Sequence, residues 1–213
     1  MSFIVIDGPN GGGKTSIIKK FTDQGYDTLS SPNGTPLAQF LRPVCRGTDP
    51  WVGVDKTVQF LCFSAARLSE YIERVHNKNH TVIADRWWTS TYAYQVILGG
   101  LPQQFLEYTI HPQEKIDMVF LLNGDPEVLI ERVVKEREKN PSHGICSWTK
   151  EKDTMRRISQ IYSNELPEYL KHEDIKCIQM DTTNWTIDKT EIEIKNALHL
   201  NNIELVKPTS TSK

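Results

Sequence analysis

Phe3-Ile4-Val5-Ile6-Asp7-Gly8-Pro9-Asn10-Gly11-Gly12-Gly13-Lys14-Thr15 opens as an apolar strand and closes as Gly-x-x-x-x-Gly-Lys-Thr. Ile17, Ile18 and Phe21 then recur at helical spacing. A strand, a glycine-rich loop and a helix in that order form the context a phosphate-binding loop requires. Each residue type has a reason. The glycines let consecutive N–H groups turn inward, and the helix N-terminus adds the positive end of its dipole. Gly8, Asn10, Gly11, Gly12, Gly13, Lys14, Thr15 and Ser16 are therefore the predicted triphosphate cradle. Lys14 supplies a point charge between the β- and γ-phosphates, and the Thr15 hydroxyl a ligand for Mg²⁺.

Working outward, Tyr26–Ser30, His80–Asp85, Asp117–Leu122 and Ile175–Met180 read as four further buried strands with helical patterns between them. That alternation predicts an α/β protein, a five-stranded parallel sheet flanked by helices in three layers. Ligands of such sheets bind beyond the carboxyl ends of the strands, where the glycine-rich loop lies. The 213 residues predict one domain over 1–206 and a polar tail over 207–213. Arg42–Gly53, with two prolines and two glycines, reads as a loop between helices. Lys139–Trp148 reads as a loop between charged helices, and a mobile lid is expected over about 136–150.

A net charge of −2 argues against a nucleic-acid backbone as partner, and local basic clusters are read first as small-anion sites. The four cysteines lack metal-type spacing and the six histidines are scattered. No apolar run approaches the roughly 20 residues a bilayer span needs, and no signal peptide is read. A cytoplasmic protein with reduced thiols and no membrane partner is expected.

Over Asp55–Val75, Val58, Leu61, Cys62, Ala65, Leu68, Ile72 and Val75 share one helical face, which is expected to pack on the sheet. Phe63 and Arg67, four residues apart, fall nearly opposite. An aromatic ring beside a guanidinium suits a planar polar ligand. The strand Thr81–Ala84 ends in Asp85-Arg86-Trp87-Trp88. A carboxylate there is placed to hold Mg²⁺ or its waters, and Arg86 to grip an acceptor phosphate. The run Thr89–Gln95 is dense in groups that can read a base or sugar. Arg132, Lys135, Arg137, Lys139, Lys150, Lys152, Arg156 and Arg157 flank the expected lid, and cations there could neutralise a moving phosphoryl group.

Taken together, the glycine loop, Phe63-Ser64-Ala65-Ala66-Arg67, Asp85-Arg86-Trp87 and Ser90-Thr91-Tyr92-Ala93-Tyr94-Gln95 resemble the thymidylate kinases, P-loop nucleoside monophosphate kinases. The resemblance implies an ATP- and Mg²⁺-dependent transfer of the γ-phosphate to dTMP by a homodimer with a three-layer P-loop fold. It implies that Lys14, Asp85, Arg86 and Arg137 are catalytic and that Arg132 lies with the ATP-binding loop. Thr15 and Asp85 would serve the metal. Asn10, Phe63, Arg67, Arg86, Thr91 and Tyr94 would hold the acceptor, Phe63 by stacking on the base. Thr91 stands where some relatives read the pyrimidine N3 with an amide, and Tyr94 where they wall off the 2′ side of the sugar.

Three departures qualify that picture. Asn10 replaces the usual carboxylate, which shifts metal binding to Asp85. Gly11 stands where some relatives carry a catalytic arginine, so that charge must come from the lid. Ser30-Ser31-Pro32-Asn33-Gly34-Thr35 lacks the arginine expected after the second strand. Either Arg42 or Arg67 compensates, or the acceptor is held more weakly or differs from dTMP, with dUMP or a modified pyrimidine nucleotide as candidates. A deoxynucleoside kinase is the first rival, but a 5′-hydroxyl acceptor needs a general base and no acid follows that strand before Asp49. A P-loop switch or motor is the second. It would want Asn-Lys-x-Asp after a strand, or an acid after Asp85, where Arg86 stands.

Overall fold

The computed structural model describes residues 2–48, 55–110, 114–139 and 152–209. Five strands, β1 (Phe3–Asp7), β2 (Asp27–Ser30), β3 (Val82–Asp85), β4 (Met118–Asn123) and β5 (Cys177–Asp181), form one sheet in the order β2-β3-β1-β4-β5. All four pairings are parallel. All five residues of β1 are buried. Its side chains alternate between two cores: Phe3 and Val5 face one layer of helices, Ile4 and Ile6 the other. A central strand covered on both faces must be continuously apolar, and this one is.

Helices α1 (Lys14–Asp23) and α9 (Ile187–Leu200) cover the Ile4 face through Ile17, Ile18, Phe21, Ile194 and Leu198. The other face takes α3 (Lys56–Glu70), α4 (Trp88–Thr91), α5 (Gln103–Thr109), α7 (Lys152–Ser163) and α8 (Glu165–His172). Two of these run on with wider π-type turns, α3 over Tyr71–Val75 and α4 over Tyr92–Ile97. Helices α2 (Pro36–Cys45) and α6 (Pro126–Lys139) complete the set. The register sets Ile6 and Ser30 opposite Asp85, so three strands end level at one rim. No helix among the described residues is long and apolar enough to cross a membrane.

Two expectations are corrected. Arg42–Cys45 is helical, not loop. Thr35 caps α2 by accepting from the Ala38 N–H, and Pro36 at the first position starts it. The phase of α3 is also inverted. Leu61 (56 % exposed), Leu68 and Ile72 (54 %) face outward, while Gln59, Phe60, Ala66, Arg67 and Glu70 are buried. Periodicity located a stripe but could not say what covers it. Of the expected lid, 136–139 form the last turn of α6, and 140–150 lie outside the described residues.

Candidate active site

The loop after β1 lies against the ends of β4 and α6. A Cβ on Gly8 (φ 149°) would sit 2.1 Å from the Leu122 carbonyl oxygen, and one on Gly11 (φ 86°) 2.4 Å from that of Leu129. Only glycine fits either place. Helix α1 starts without a side-chain cap and without an acid in its first turn. Its first N–H groups therefore await an anion. Thr15 and Ser16 are exposed in that turn. Lys14 is buried and donates to the Pro9 carbonyl at 2.8 Å. Burial first, and Arg86 second, push its ammonium down to about 7, against the pull of Asp85 and Asp7.

Arg86 is the hub of the rim. Its backbone is left-handed (φ 69°), which turns the side chain back over the glycine loop. Nη1 donates to Asp7 Oδ1 (3.2 Å), the Gly8 carbonyl (3.1 Å), Ser90 Oγ (2.9 Å) and the Tyr162 hydroxyl (3.4 Å). Nη2 donates to Asn10 Oδ1 at 2.7 Å, and the guanidinium lies 5.5 Å from the Tyr94 ring centre. Burial opposes the charge, but Tyr94, Tyr162, Asp7 and Asp85 hold the guanidinium above its ordinary range. Asn10, which has no charge, thus meets the arginine by geometry alone.

Asp7 was not among the predicted site residues, and it anchors this hub. Wholly buried, it accepts from the Gly8 N–H (2.7 Å), Thr89 Oγ1 (2.5 Å), Ser90 Oγ (2.8 Å) and the Tyr162 hydroxyl (2.9 Å) besides Arg86. An acid closing an otherwise apolar central strand was the available signal. Tyr162, on α7, had none. Its partner is 155 residues away, and only the fold brings them together.

Asp85 ends β3 with Oδ1 buried and without a hydrogen-bond partner. Burial raises its carboxyl, while Lys14 and Arg86 pull the other way. A buried acid with an unpaired oxygen at the strand end, near Lys14 of the glycine loop, fits a divalent cation shared with phosphate oxygens.

Of the residues expected to hold the acceptor, Thr91 and Tyr94 are buried in α4 and its continuation, and Phe63 is half-buried. Arg67 is 2 % exposed. Its Nη2 donates to the Thr109 carbonyl at 2.6 Å and its Nε lies 3.6 Å from Glu114, which also accepts from the Trp87 indole. Glu70 accepts from the Asn33 and Gly34 N–H groups (2.8 and 2.6 Å), and Arg42 Nη1 donates to the Pro32 carbonyl at 2.7 Å. Of the two candidate replacements for the missing arginine, Arg42 reaches that loop, and Arg67 is engaged at Thr109 and Glu114.

The expected lid cations divide. Arg132 donates to the carbonyls of Gly11 (3.3 Å), Thr182 (2.9 Å) and Thr183 (2.8 Å), which ties the glycine loop to the segment after β5. It supports the loop from behind. Lys135, Arg156 and Arg157 pair with Glu131, with Glu127 and Asp153, and with Glu165. Arg137 is half-buried in the last turn of α6, and Lys150 falls outside the described residues.

Comparison with known proteins adds to this geometry. The sequence model of the family described as thymidylate kinase matches residues 6–183. A Clostridium novyi thymidylate kinase is 26 % identical over 210 residues, covering 92 % of this chain and 98 % of its own length. One from Leuconostoc mesenteroides is 33 % identical over 185 residues, covering 77 % and 84 %. One from Bacillus pumilus is 28 % identical over 148 residues, covering 57 % and 69 %.

Proposed function

The chain belongs to the thymidylate kinase family and phosphorylates dTMP to dTDP with ATP as donor, and we propose that the rim around Arg86 is where it does so. The observation that carries the assignment is the Arg86 guanidinium, fixed by Asp7, Ser90 and Asn10 between the glycine loop and the Asp85 carboxylate. ATP occupies the loop, its phosphates taken by the N–H groups at the start of α1 and by Lys14. The dTMP phosphate meets Arg86, with Arg42 at the far side and the base stacked on Phe63. The acceptor oxygen is already an anion, so no general base is needed. Catalysis is alignment and neutralisation of charge. Asp85 and Thr15 would hold Mg²⁺, which when bound screens the donor oxygens. Arg137 is the proposed cation for the moving phosphoryl group.

We also propose a homodimer and a cytoplasmic setting. The outward stripe Leu61, Leu68 and Ile72 of α3, with Leu37 and Phe40 (79 % exposed) of α2, is an apolar face that a second copy would cover. Cys45, Cys62 and Cys177 are unpaired thiols, as a reducing compartment would keep them. Leu68→Lys is expected to shift the mass by light scattering from dimer to monomer. A coupled assay across dTMP, dUMP, dCMP, dGMP and thymidine tests the reaction. Turnover of thymidine without turnover of dTMP would overturn it.

A further inference from the structure

Among the described residues, buried side-chain polar atoms without a hydrogen-bond partner gather on α3. They are both amide atoms of Gln59, Ser64 Oγ, Nε and Nη1 of Arg67, and Oε2 of Glu70. Gln59 is left with neither side-chain polar atom paired. Its side chain is 0 % exposed, and neither its Nε2 donor nor its Oε1 acceptor is met. A buried amide left unpaired on both atoms destabilises the fold with nothing in return. Such a residue persists where a ligand completes it.

Helix geometry names the ligand. Gln59, Phe63 and Arg67 are spaced i, i+4, i+8, so they form one ridge along α3 with the aromatic ring in the middle. Phe60, one residue on, turns away to Phe105 of α5 at a ring separation of 6.0 Å. A planar heterocycle lying on Phe63 therefore has an unpaired carboxamide on one side and, on the other, the Arg67 Nη1 that its bonds to Thr109 and Glu114 leave unused.

We propose that Gln59 is the specificity-determining residue of the acceptor pocket, reading the hydrogen-bonding edge of a thymine- or uracil-type base. The proposal rests on the kinase reading above. That edge presents carbonyl, N–H, carbonyl. The Gln59 amide accepts from the ring N–H and donates to one carbonyl, while Arg67, a donor only, takes the other. Cytosine carries an amino group at C4 and no hydrogen on N3, so with Arg67 on the C4 position two donors would meet and Gln59 would lose the N–H it accepts from. Discrimination arises from the pair, and Gln59 supplies its only acceptor.

The test is Gln59→Leu, with Gln59→Met as a second variant of similar volume, in the full chain. For each enzyme kcat/KM is measured with dTMP, dUMP and dCMP, together with the melting shift that dTMP induces. The dTMP KM should rise about tenfold or more, and the dTMP-to-dCMP preference should fall by about tenfold or more. The ATP KM should stay within twofold. The ligand-free variants should melt at or above the wild-type temperature, since an unpaired buried amide has been removed, yet gain less from dTMP. An unchanged preference with a higher melting temperature would overturn the proposal and leave Gln59 the host of a buried water. A lower melting temperature in both variants with an unchanged dTMP shift would also overturn it. If the wild type turned over none of the monophosphates, the kinase reading itself would fail, an outcome distinct from either.

Discussion

The two halves of the site are built on opposite plans. On the proposed donor side the buried side chains already have partners. Lys14 rests on Pro9, and Arg132 is spent on three carbonyls. On the proposed acceptor side Gln59 and Arg67 keep buried atoms without hydrogen-bond partners. The proposed donor half is a cradle of backbone, braced by its own contacts and left open at the start of α1. The acceptor half is a set of unsatisfied side chains, and only a ligand with the matching edge completes it. Affinity for ATP should therefore be robust to side-chain changes, whereas acceptor binding should be sensitive to single atoms.

Arg86 belongs to both halves, and its removal should have the largest effect. Arg86→Ala is expected to lower kcat/KM for dTMP by about 10³-fold or more, as loss of a charge-assisted grip on phosphate does. A loss of only a few-fold would place the acceptor elsewhere. Asp7→Asn should come next, at about 10- to 100-fold, because an amide cannot accept on both sides and turns donors toward Thr89 and Ser90. Loss concentrated in the acceptor KM would confirm that Asp7 acts by aiming Arg86. A loss confined to the ATP KM would move Asp7 to the donor half and break the division.

That division also explains what could be read in advance. The sheet, its strand positions and the glycine loop were legible because backbone chemistry imposes fixed spacings. Gly8 and Gly11 are where they are because no Cβ fits beneath the Leu122 and Leu129 carbonyls. The face of α3 was not legible. Leu61, Leu68 and Ile72 look like core, and Gln59, Arg67 and Glu70 look like surface, but the structure reverses them. A stripe that faces outward can be as apolar as one that packs on the sheet, and a buried face as polar as a surface. Tyr162 was illegible for a different reason, since its tie to Asp7 spans nearly the whole chain.

A smaller effect tests the donor half through its proton balance. In the unfolded chain Lys14 titrates near 10.5, and in the ligand-free fold near 7. Between those values the unfolded state holds more protons, so the stability of the ligand-free protein should rise with pH across that window. ATP restores the charge, so binding at pH 8 should take up ~0.9 proton, and almost none below pH 6. Calorimetry in two buffers of different ionisation enthalpy measures the uptake, with Lys14→Met as the subtraction. Equal uptake in both proteins would mean that Lys14 is charged before ATP arrives, and the cradle would then be less closed than its contacts indicate.

The least sensitive substitution should be Arg156→Ala. The sequence alone sets Arg156 beside Arg137 as a lid-flanking cation, and nothing in the spacing separates them. The structure sets Arg156 at the surface, 42 % exposed and paired with Glu127 and Asp153, both more exposed than itself, and Arg137 half-buried in the last turn of α6. Ion pairs in such surroundings are screened by water and salt, and contribute little. Arg156→Ala should leave kcat and both KM values within about twofold, whereas Arg137→Ala should lower kcat with little change in the acceptor KM. Because the two arginines sit on neighbouring helices, the pair of variants separates proximity to the lid from membership of the site. A large fall in kcat for Arg156→Ala would show that its pairs open when both nucleotides are bound, and that the donor half is completed by side chains after all.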